Sequence, residues 1–454
     1  MKEKNRYDII IVGAGPAGLF ACLELIDKKF KGSVLLVDMG NRIAKRKPNE
    51  VMSGFGGAGT YSDGKLHFTP KLSHERCFHL ISPDNYQKIL DKIEKTFAGW
   101  GVDSIFYPRN EEETRLLKEE AEREDIELIV RRSQHTGTDK LKEIMVNLEA
   151  FLTEKGIDFR DKTKVVDLIV KNGQGIGVID KKGNKYFGKK ILLAPGRVSA
   201  SWLQKLATKH GIKYQYGMVE VGVRIEFPKS VMKRYADALY EIVLKMRTKT
   251  YDDIMRTFCT CPNGLVAMED YRGMVCVNGH STSEHAAENS NFAFVCEVNL
   301  TEPVENSIAY AESIAKLATT IGGGKPILQM LADLRKGRRS TWDRLKKSLV
   351  KPSLTDVTPG DISMALPHRI VTNILEGLEK LDKVMPGINS GSTLLYAPEV
   401  KFRSSQIKTK KTMETDLKNV FVAGDASGLS GTITGAGTTG IMAVRGMLKE
   451  LGKN

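Results

Sequence analysis

The stretch that decides the fold lies near the start of the chain: Tyr7-Asp8-Ile9-Ile10-Ile11-Val12-Gly13-Ala14-Gly15-Pro16-Ala17-Gly18. An apolar strand runs into a G-x-G-x-x-G turn, and the apolar spacing that follows over residues 19–26 is typical of a helix. A second apolar strand, Val34–Val37, ends on Asp38, twenty positions after Gly18. This order predicts a βαβ unit that binds a dinucleotide.

Each glycine of the turn has its own physical task. Gly13 allows the tight exit from the strand, Gly15 lets the backbone approach a pyrophosphate, and Gly18 lets the helix pack closely on the sheet. The start of the helix offers N–H groups and a positive dipole end to the phosphates, and Asp38 is placed to accept hydrogen bonds from a ribose. The predicted binding residues of this segment are Gly13, Gly15, Pro16, Ala17, Gly18 and Asp38. The alternative is a doubly wound protein with a tight glycine turn and no ligand.

A second ligand-binding pattern lies near the end of the chain. Leu417-Lys418-Asn419-Val420-Phe421-Val422-Ala423-Gly424-Asp425 is a short apolar strand that delivers an aspartate at its carboxyl end, where ligands of open α/β sheets bind. A glycine-rich stretch follows, and then a helical pattern over residues 441–451. A long ligand fits this layout better than NAD alone, with a polyol chain at Asp425 and a ring system over the start of the last helix. The predicted binding residues here are Gly424, Asp425, Thr432, Gly435, Ala436 and Gly437.

The two ends together resemble FAD-dependent oxidoreductases of the glutathione-reductase/p-hydroxybenzoate-hydroxylase superfamily. The resemblance implies that Asp425 binds the flavin ribityl chain. It also implies that the last helix points its N-terminus at the N1–C2=O edge of the isoalloxazine, where reduced flavin carries negative charge. The strand Lys190–Gly196 resembles the A-T-G motif of that superfamily, with Pro195 in place of the threonine. The resemblance therefore implies FAD as the cofactor and adds four binding residues, which are Arg42, Val166, Ala194 and Gly196.

A glycine-dense run carries a finer resemblance. Ser53-Gly54-Phe55-Gly56-Gly57-Ala58-Gly59-Thr60-Tyr61-Ser62-Asp63-Gly64-Lys65-Leu66 is similar to the G-G-x-G-T-[FY]-S-D-G-K-L signature of an uncharacterised family of bacterial and archaeal FAD-dependent dehydrogenases. The resemblance implies that the backbone of this loop approaches the flavin, and it adds Gly57, Gly59 and Ser62 to the binding residues. A flexible surface loop is the alternative, because so many glycines exclude a stable helix or central strand.

Other parts of the chain match the same family, so the resemblance covers nearly its whole length. The matching segments are Cys259–Gly264 with Asn278–Ser281, Leu394–Glu399 followed by Arg403–Ser405, and the tail from Gly424. The sequence departs from the family pattern at Asn263, where a second glycine is common, and at Gln406, where a proline is common. The family is defined by flavin binding, so the resemblance implies the cofactor and says little about the substrate.

Composition sets outer bounds on the function. The chain has 454 residues, enough for two domains, and a formal net charge of +14. A solvated lysine-rich surface explains this charge, and an anionic substrate, an acidic protein partner or nucleic acid are the alternatives. We see no secretory signal and no apolar run of transmembrane length. The six cysteines form no C-x-x-C, which fits free thiols in a reducing cytoplasm and argues against a thiol–disulfide reductase.

The sequence predicts an α/β fold: a Rossmann-like FAD-binding domain with a parallel sheet and a β-meander, plus a second α+β substrate domain. The predicted segments are 1–75 (FAD-binding, first part), 76–135 (helical insertion), 136–199 (FAD-binding, second part), 200–354 (substrate or cap domain) and 355–454 (FAD-binding, C-terminal part). We find no second G-x-G-x-x-G, so a built-in NAD(P) domain is not expected.

Candidates for proton transfer or for neutralising a substrate are Lys65 and His67, which follow the glycine run, and His280 within Asn278–Ser281. His67 is alternatively an ordinary loop histidine. Cys259 and Cys261 show no defensible zinc spacing with the nearby histidines, so no metal is predicted.

The sequence thus predicts a FAD-dependent oxidoreductase, a dehydrogenase or reductase. A small, anionic substrate or NAD(P)H would pass a hydride to flavin N5, and a second acceptor, such as a protein electron carrier, would reoxidise the flavin. The nearest alternative is a flavin monooxygenase of the hydroxylase branch, although the D-G motif that usually lies midway along such sequences is not found. A flavoprotein that modifies nucleic acid is suggested only by the basic charge.

Overall fold

A computed structural model gives the fold of the chain. It describes residues 5–47, 50, 52–61, 64–70, 77–271, 273–280, 287–298, 300, 306–401 and 405–452. The strands in chain order are β1 Arg6–Val12, β2 Val34–Val37, β3 Lys65–His67, β4 Phe106–Tyr107, β5 Ile126–Leu128, β6 Ser133–His135, β7 Asp158–Arg160, β8 Val165–Lys171, β9 Gln174–Asp180, β10 Lys185–Leu193, β11 Tyr214–Gln215, β12 Val219–Pro228, β13 Leu244–Arg247, β14 Ile254–Cys261, β15 Leu265–Tyr271, β16 Met274–His280, β17 Asn289–Val298, β18 Ile327–Met330, β19 Thr358–Pro359, β20 Leu394–Lys401, β21 Gln406–Ile407 and β22 Val420–Val422. The α-helices are α1 Pro16–Asp27, α2 Pro83–Gly99, α3 Glu111–Arg123, α4 Thr138–Glu154, α5 Ala200–Lys209, α6 Lys229–Ala238, α7 Ser307–Ile321, α8 Leu331–Arg335, α9 Trp342–Lys346, α10 His368–Asp382 and α11 Ile433–Glu450.

The chain forms two compact units that are interleaved along the sequence. Unit 1 comprises residues 1–106, 132–217 and 404–454, and unit 2 comprises residues 107–131 and 218–403. The boundaries between the two units lie at other residues than the predicted segment boundaries. Residues 355–403 fall in unit 2, and the two helices of the predicted insertion, α2 and α3, fall in different units. The predicted division by function stays a prediction.

Unit 1 is built on a seven-stranded sheet in the order β7-β2-β1-β10-β9-β8, with β22 also paired to β10. Strands β7, β2, β1, β10 and β22 run parallel. Their carboxyl ends therefore lie at one edge of the sheet, the edge where open α/β sheets bind ligands. The parallel sheet and the meander of β8, β9 and β10 confirm the predicted fold class for this part of the chain.

Alternate residues of the central strand β1 supply the two cores of unit 1. Ile9 and Ile11 pack in a cluster with apolar residues of α1, α4 and α11. Ile10 and Val12 pack in a second cluster with apolar residues of α5. Both faces of the strand are covered, which is why it reads as a continuous apolar run rather than an alternating one.

Helices α1 and α11 touch through their backbones. A Cβ on Gly440 would lie 2.0 Å from the carbonyl oxygen of Ala17, and a Cβ on Gly437 would lie 2.7 Å from the ring of Phe20. Two of the tail glycines are thus required for helix packing, because no larger residue fits this close approach. The contact brings the N-termini of the two helices to the same side of the sheet.

Unit 2 contains an eight-stranded sheet in the order β19-β18-β20-β12-β17-β14-β13-β5. Its pairs are antiparallel apart from β18 with β19. Apolar residues of α3, α6, α7 and α10 pack with strand residues in the largest core cluster of the unit. This arrangement of helices on an antiparallel sheet confirms the predicted α+β class of the second domain.

The prediction for β12 was wrong in one respect. Its alternation of apolar and polar residues indicated a half-buried strand, but every residue from 219 to 227 is buried. Its polar residues are compensated inside the protein: Glu220 pairs with Arg256, Arg224 pairs with Glu399, and Glu226 accepts a hydrogen bond from Tyr396. Alternation therefore marks ion pairs here rather than a solvent face.

Within the part of the chain that the structure describes, no helix is long and apolar enough to cross a membrane.

Candidate functional site

The candidate site of unit 1 lies where the parallel strands end. β1 leads into Gly13, β2 into Asp38, β10 into Ala194 and β22 into Gly424. The N-termini of α1 and α11 follow two of these strand ends. Segments from both ends of the chain are therefore brought together as the sequence predicts, although their contacts with a cofactor stay predictions.

The turn before α1 has the geometry of a phosphate cradle. Gly13 has φ +109°, and a Cβ there would lie 2.1 Å from the carbonyl oxygen of Ala194. A Cβ on Gly18 would lie 2.0 Å from the carbonyl oxygen of Gly13. At Gly15 the surroundings are open instead, since a Cβ would meet only the Cα of Gly57, at 3.7 Å.

No side chain caps α1 at Gly15, and Pro16 begins the helix. An uncapped helix N-terminus beside an open glycine is suited to an anionic group such as a pyrophosphate. The residues present thus fit the pyrophosphate of a dinucleotide.

Asp38 organises the backbone around this turn. Its Oδ2 accepts a hydrogen bond from the amide of Ala14 at 2.8 Å. Its Oδ1 accepts from the amides of Gly40 at 2.8 Å and Gly54 at 2.9 Å. A carboxylate has room for about four hydrogen bonds, so one acceptor site remains for a ribose hydroxyl.

The glycine-rich run packs against the turn. The amide of Gly56 donates to the carbonyl of Ala14 at 2.9 Å, and Gly57 has φ +67°. A Cβ on Gly59 would lie 2.7 Å from the side chain of Ile433, at the start of α11. The run therefore bridges the two helix N-termini, as a loop that approaches a cofactor requires.

Sequence reasoning missed the residue that holds this loop. Arg46 is buried, and its guanidinium donates to the carbonyls of Phe55, Gly57 and Glu50 at 2.7–3.0 Å. Nothing in the spacing of the sequence singles out this arginine among its basic neighbours.

Arg42 is held by protein groups. Its guanidinium pairs with Glu149 at 2.8 Å, donates to the carbonyl of Phe159 at 2.9 Å and lies over the Phe159 ring at 4.8 Å. These contacts fix the side chain between β7 and α4. Its predicted contact with the adenosine or pyrophosphate side stays a prediction.

Asp425 is paired with a residue that the sequence did not indicate. Its carboxylate lies 2.8 Å from Nη2 and 2.9 Å from Nε of Arg197, directly after Gly196. Gly424 has φ +76°, and its amide donates to Thr439 at 2.9 Å. An ion pair thus links Asp425 to Arg197, the residue that follows Ala194-Pro195-Gly196 at the end of β10. The Arg197 side chain is half exposed.

The start of α11 is fixed by its own cap. The hydroxyl of Thr432 accepts from the amide of Gly435 at 3.0 Å, and the amide of Ala436 donates to the Thr432 carbonyl at 2.9 Å. Gly437 faces Phe20 as described above.

The remaining candidates of unit 1 lie at or near the same edge. A Cβ on Gly196 would meet nothing within 4 Å, so the backbone is open there. The amide of Ala194 donates to the carbonyl of Val12 at 2.8 Å. Val166 is exposed on β8, and its carbonyl accepts from the indole of Trp202 at 3.0 Å.

Lys65 and His67 lie on β3, which pairs with β6 and is buried. The hydroxyl of Thr434 donates to the carbonyl of His67 at 2.5 Å. His67 is therefore joined to the start of α11, and the alternative of an ordinary loop histidine is wrong because the residue lies in a buried strand. Its catalytic role stays a prediction.

An apolar pocket adjoins the edge. With its open mouth it encloses about 460 Å³, and helices α1, α2 and α4 line it together with Gly56, Gly59 and Ile433. Its lining includes Phe20, Phe97 and Trp100. Such a lining suits apolar groups and not phosphates.

His280 ends β16 in unit 2 and is exposed. Ser62, Ser281, Arg403 and Ser404 lie outside the described residues. Among the residues that the structure describes, no group of three or more His, Cys, Asp or Glu side chains is arranged to hold a metal ion.

One family model matches the chain. Residues 218–402 match the model described as FAD-dependent protein, C-terminal domain-like. The match identifies FAD as the cofactor of the family that this part of the chain resembles, in agreement with the predicted cofactor. It does not single out the glutathione-reductase/p-hydroxybenzoate-hydroxylase branch. None of the curated proteins matches the chain.

Several solved structures are similar in fold. A 3-ketosteroid-Δ4-(5α)-dehydrogenase from Rhodococcus jostii is 13% identical, with 98% of this chain and 97% of that chain covered and a TM-score of 0.45. A glycine oxidase from Geobacillus kaustophilus is 12% identical, with 98% and 95% covered and a TM-score of 0.41. An L-amino acid deaminase from Proteus vulgaris is 14% identical over 50% of this chain and 62% of its own, with a TM-score of 0.31. Likeness at this level carries no argument about the activity of this chain.

Proposed function

We propose that the chain is a FAD-dependent oxidoreductase that holds FAD along the carboxyl edge of the unit 1 sheet. The observation that carries this proposal is the meeting of four parallel strand ends and two helix N-termini at that edge. A βαβ turn alone would serve any dinucleotide. The second aspartate and the second helix N-terminus favour a longer ligand with a polyol chain and an electron-accepting ring.

Each part of the edge has a proposed task. The turn from Gly13 to Ala17 binds the pyrophosphate, and Asp38 binds the ribose of the adenosine half. Asp425 binds the ribityl chain, and the N-terminus of α11 stabilises negative charge on the flavin ring. The glycine-rich run covers the cofactor, with Gly57 and Gly59 as the residues of closest approach. When bound, FAD supplies a hydride acceptor at flavin N5.

The protein must then orient a substrate, exclude water and supply a charge or a proton. The buried strand β3 presents Lys65 and His67 next to the start of α11, which supports a role for one of them in neutralising or protonating the substrate. The net charge of +14 favours a small anion or NAD(P)H as the hydride donor, and a second acceptor, such as a protein electron carrier, completes the cycle. His280 is a further proposed proton donor from unit 2.

None of the six cysteines is joined in a disulfide. Cysteines outside disulfides support a place for this enzyme in a reducing compartment such as the cytoplasm.

The Asp425→Ala variant tests the placement of the flavin. We expect the fold to be retained and FAD affinity to fall by about tenfold or more, since a hydrogen bond to a charged group contributes ~1.5–3 kcal/mol. The matched control is Asp416→Ala, which removes an exposed aspartate from the same segment. The measurement is the FAD dissociation constant by fluorescence titration, with circular dichroism to check the fold. Equal affinity in the two variants would show that Asp425 does not contact the cofactor.

A further inference from the structure

Cys259, Asn278 and Glu399 lie in three of the segments that resemble the dehydrogenase family. Inside unit 2 these three residues meet around Arg224. Its Nε donates to Glu399 at 3.0 Å, and its two Nη groups donate to Asn291 at 2.6 Å and to Asn278 at 3.4 Å. It also donates to the carbonyl of Cys259 at 3.3 Å. We call Arg224, Cys259, Cys261, Asn278, Glu399 and Lys401 the Arg224 cluster.

Cys259 has an unusual backbone within this cluster. Its φ is +50°, and the pairing of β14 with β17 is irregular between Phe258 and Cys261. A positive φ is unfavourable for a residue other than glycine, and such strain concentrates at functional sites. The Cys259 thiol donates a hydrogen bond to Oδ1 of Asn278 at 3.7 Å, and the residue is partly exposed.

The second thiol of the cluster belongs to Cys261, which is buried. The Sγ of Cys261 lies 3.7 Å from the carbonyl oxygen of Cys259. A Cβ on Gly279 would lie 2.4 Å from this sulfur and 2.4 Å from Nη1 of Arg224, so only glycine fits above the thiol and the guanidinium.

The Arg224 cluster contains two positively charged side chains, Arg224 and Lys401. Arg224 and Glu399 are completely buried as a pair, and Lys401, which is 15% exposed, also pairs with Glu399 at 2.5 Å. Two cations thus share one carboxylate. The nearby Arg256 has its own carboxylate partner in Glu220, and Glu269 is a further acid that acts on Lys401.

Cys259 raises the pKa of both cations, and Cys261 raises that of Arg224. Burial lowers the pKa of Arg224, but Glu399 and then Cys259 and Cys261 raise it above its usual value. Burial likewise lowers the pKa of Lys401, and Glu399 and then Cys259 raise it. These groups are therefore close enough for a thiolate to stabilise both cations, and the attraction is mutual.

Three other cysteines of the chain, Cys22, Cys276 and Cys296, are more deeply buried than Cys259, although Glu399 and Lys401 also act on Cys276. Burial raises the pKa of Cys22, Cys276 and Cys296 to about 12, so these thiols stay protonated and unreactive near neutral pH. Cys276 lies in the same unit and gives a natural internal reference.

We propose that Cys259 is a nucleophilic thiolate and that Cys261 is its resolving partner, so that the two form a reversible peroxide-sensitive site in unit 2. The thiolate attacks one peroxide oxygen, the O–O bond breaks, hydroxide leaves, and Cys259 becomes a sulfenic acid. The Cys261 thiol then attacks this sulfur, the S–O bond breaks, water leaves and a disulfide forms. The peroxide is reduced to water and the two thiols are oxidised; an external thiol restores them.

Alkylation of the full chain tests the nucleophile. Under native conditions and limiting iodoacetamide, peptide mass spectrometry is expected to find Cys259 modified at least tenfold faster than Cys276. Lys401→Gln is expected to slow the Cys259 reaction about threefold to tenfold, because one of the two stabilising cations is lost. The matched control, Lys245→Gln, removes a partly buried lysine of the same sheet that pairs with Glu297, and should leave the rate unchanged. Similar rates at Cys259 and Cys276, or no effect of Lys401→Gln in a folded protein, overturn the proposal.

Peroxide treatment tests the resolving partner. With one equivalent of hydrogen peroxide, the wild type is expected to lose two hydrogen masses, located to the peptide with Cys259 and Cys261. Cys261→Ser is expected to accumulate a sulfenic acid at Cys259 that dimedone traps, and Cys259→Ser is expected to do neither. An unmodified wild type, or a disulfide that involves another cysteine, overturns the proposal. These two experiments require no flavin, so their results are independent of whether the proposed oxidoreductase function is correct.

Discussion

At the scale of the residue, Asp38 links the fold and the candidate site. Its two oxygens accept hydrogen bonds from the amides of Ala14, Gly40 and Gly54. Ala14 belongs to the glycine turn and Gly54 to the glycine-rich run. The carboxylate that is proposed to bind a ribose therefore also sets the distance between the two loops that would enclose the cofactor.

The Asp38→Asn variant is expected to weaken FAD binding about tenfold or more, since the amide keeps one acceptor oxygen and loses the charge that gives such hydrogen bonds ~1.5–3 kcal/mol. The matched control is Asp180→Asn, which alters an aspartate that accepts the amides of Lys182 and Asn184 in a turn of the same unit. Both variants should lower the melting temperature, but only Asp38→Asn should raise the FAD dissociation constant. Equal dissociation constants for the two variants would remove Asp38 from the site.

The sequence singles out the aspartates and glycines of the candidate site because each has a backbone or hydrogen-bonding task that few residue types perform, and their contacts with a cofactor stay predictions. It does not single out Arg46 or Arg197. The partner of Arg197 lies 228 residues further along the chain, where only the fold brings it near. The partners of Arg46 are backbone carbonyls of the following loop, which no side-chain pattern marks. The sequence marks these arginines no differently from the other basic residues.

At the scale of the element, the contact of α1 with α11 joins the two halves of the site. Gly440→Ala would place a Cβ 2.0 Å from the backbone oxygen of Ala17, and this neighbour cannot rotate away. We expect a loss of about 3 kcal/mol in the free energy of unfolding, as for overpacked cores. The matched control is Gly99→Ala in α2, where a Cβ meets nothing within 4 Å. It should change stability by less than about 1 kcal/mol.

Urea denaturation measures both glycine variants. A Gly440→Ala protein as stable as the wild type would mean that the two helices do not approach as closely as the structure shows.

Glu24 ties three helices together and makes their packing sensitive to acid. Its buried carboxylate on α1 lies 2.5 Å from Nζ of Lys92 on α2 and 2.8 Å from Nε of Arg445 on α11. Burial raises the pKa of Glu24, but Lys92 and Arg445 together lower it by more, so the net shift of the pKa is downward. A lowered pKa stabilises the fold above the pKa of the unfolded carboxyl, ~4.3, and this contribution is lost as the pH falls through the folded value.

Glu24→Gln is expected to cost about 2 kcal/mol at pH 7, where the wild-type carboxylate is charged. As the pH falls below about 4, the stabilities of wild type and variant should converge, because the wild-type carboxylate becomes protonated. Urea unfolding at several pH values measures the difference. A difference that does not change with pH would show that charge is not what Glu24 contributes.

Helices and strands whose apolar residues recur at a regular spacing could be predicted from the sequence. Elements whose bounds or burial depend on tertiary contacts could not. The pattern over residues 139–155 predicted a helix, which is α4. The expected strands near residues 185–187 and at Ile191 form one strand, β10, because its first half pairs with the meander and its second half with β1 and β22. The buried charges of β12 were invisible for the same reason, since their partners lie on other strands.

At the scale of the whole molecule, the order of segments explains why domain bounds were hard to predict. Both units are assembled from separate stretches, and residues 107–131 belong with the second unit although they lie between two stretches of the first. Strand β5, which lies in this stretch, pairs with β13 and forms one edge of the eight-stranded sheet of unit 2. Local patterns specify a helix or a strand in such a stretch but not the sheet that it joins.

The central claim is that both ends of the chain bind one FAD. The most direct measurement is the visible absorption spectrum of the purified chain after reconstitution with FAD and removal of excess, with the bound flavin identified by mass spectrometry. We expect a yellow protein with flavin absorption in the blue and one FAD per chain, and a strong loss of that band in the Asp38→Asn, Asp425→Ala double variant. A colourless protein, or a double variant that retains full flavin content, would contradict the claim.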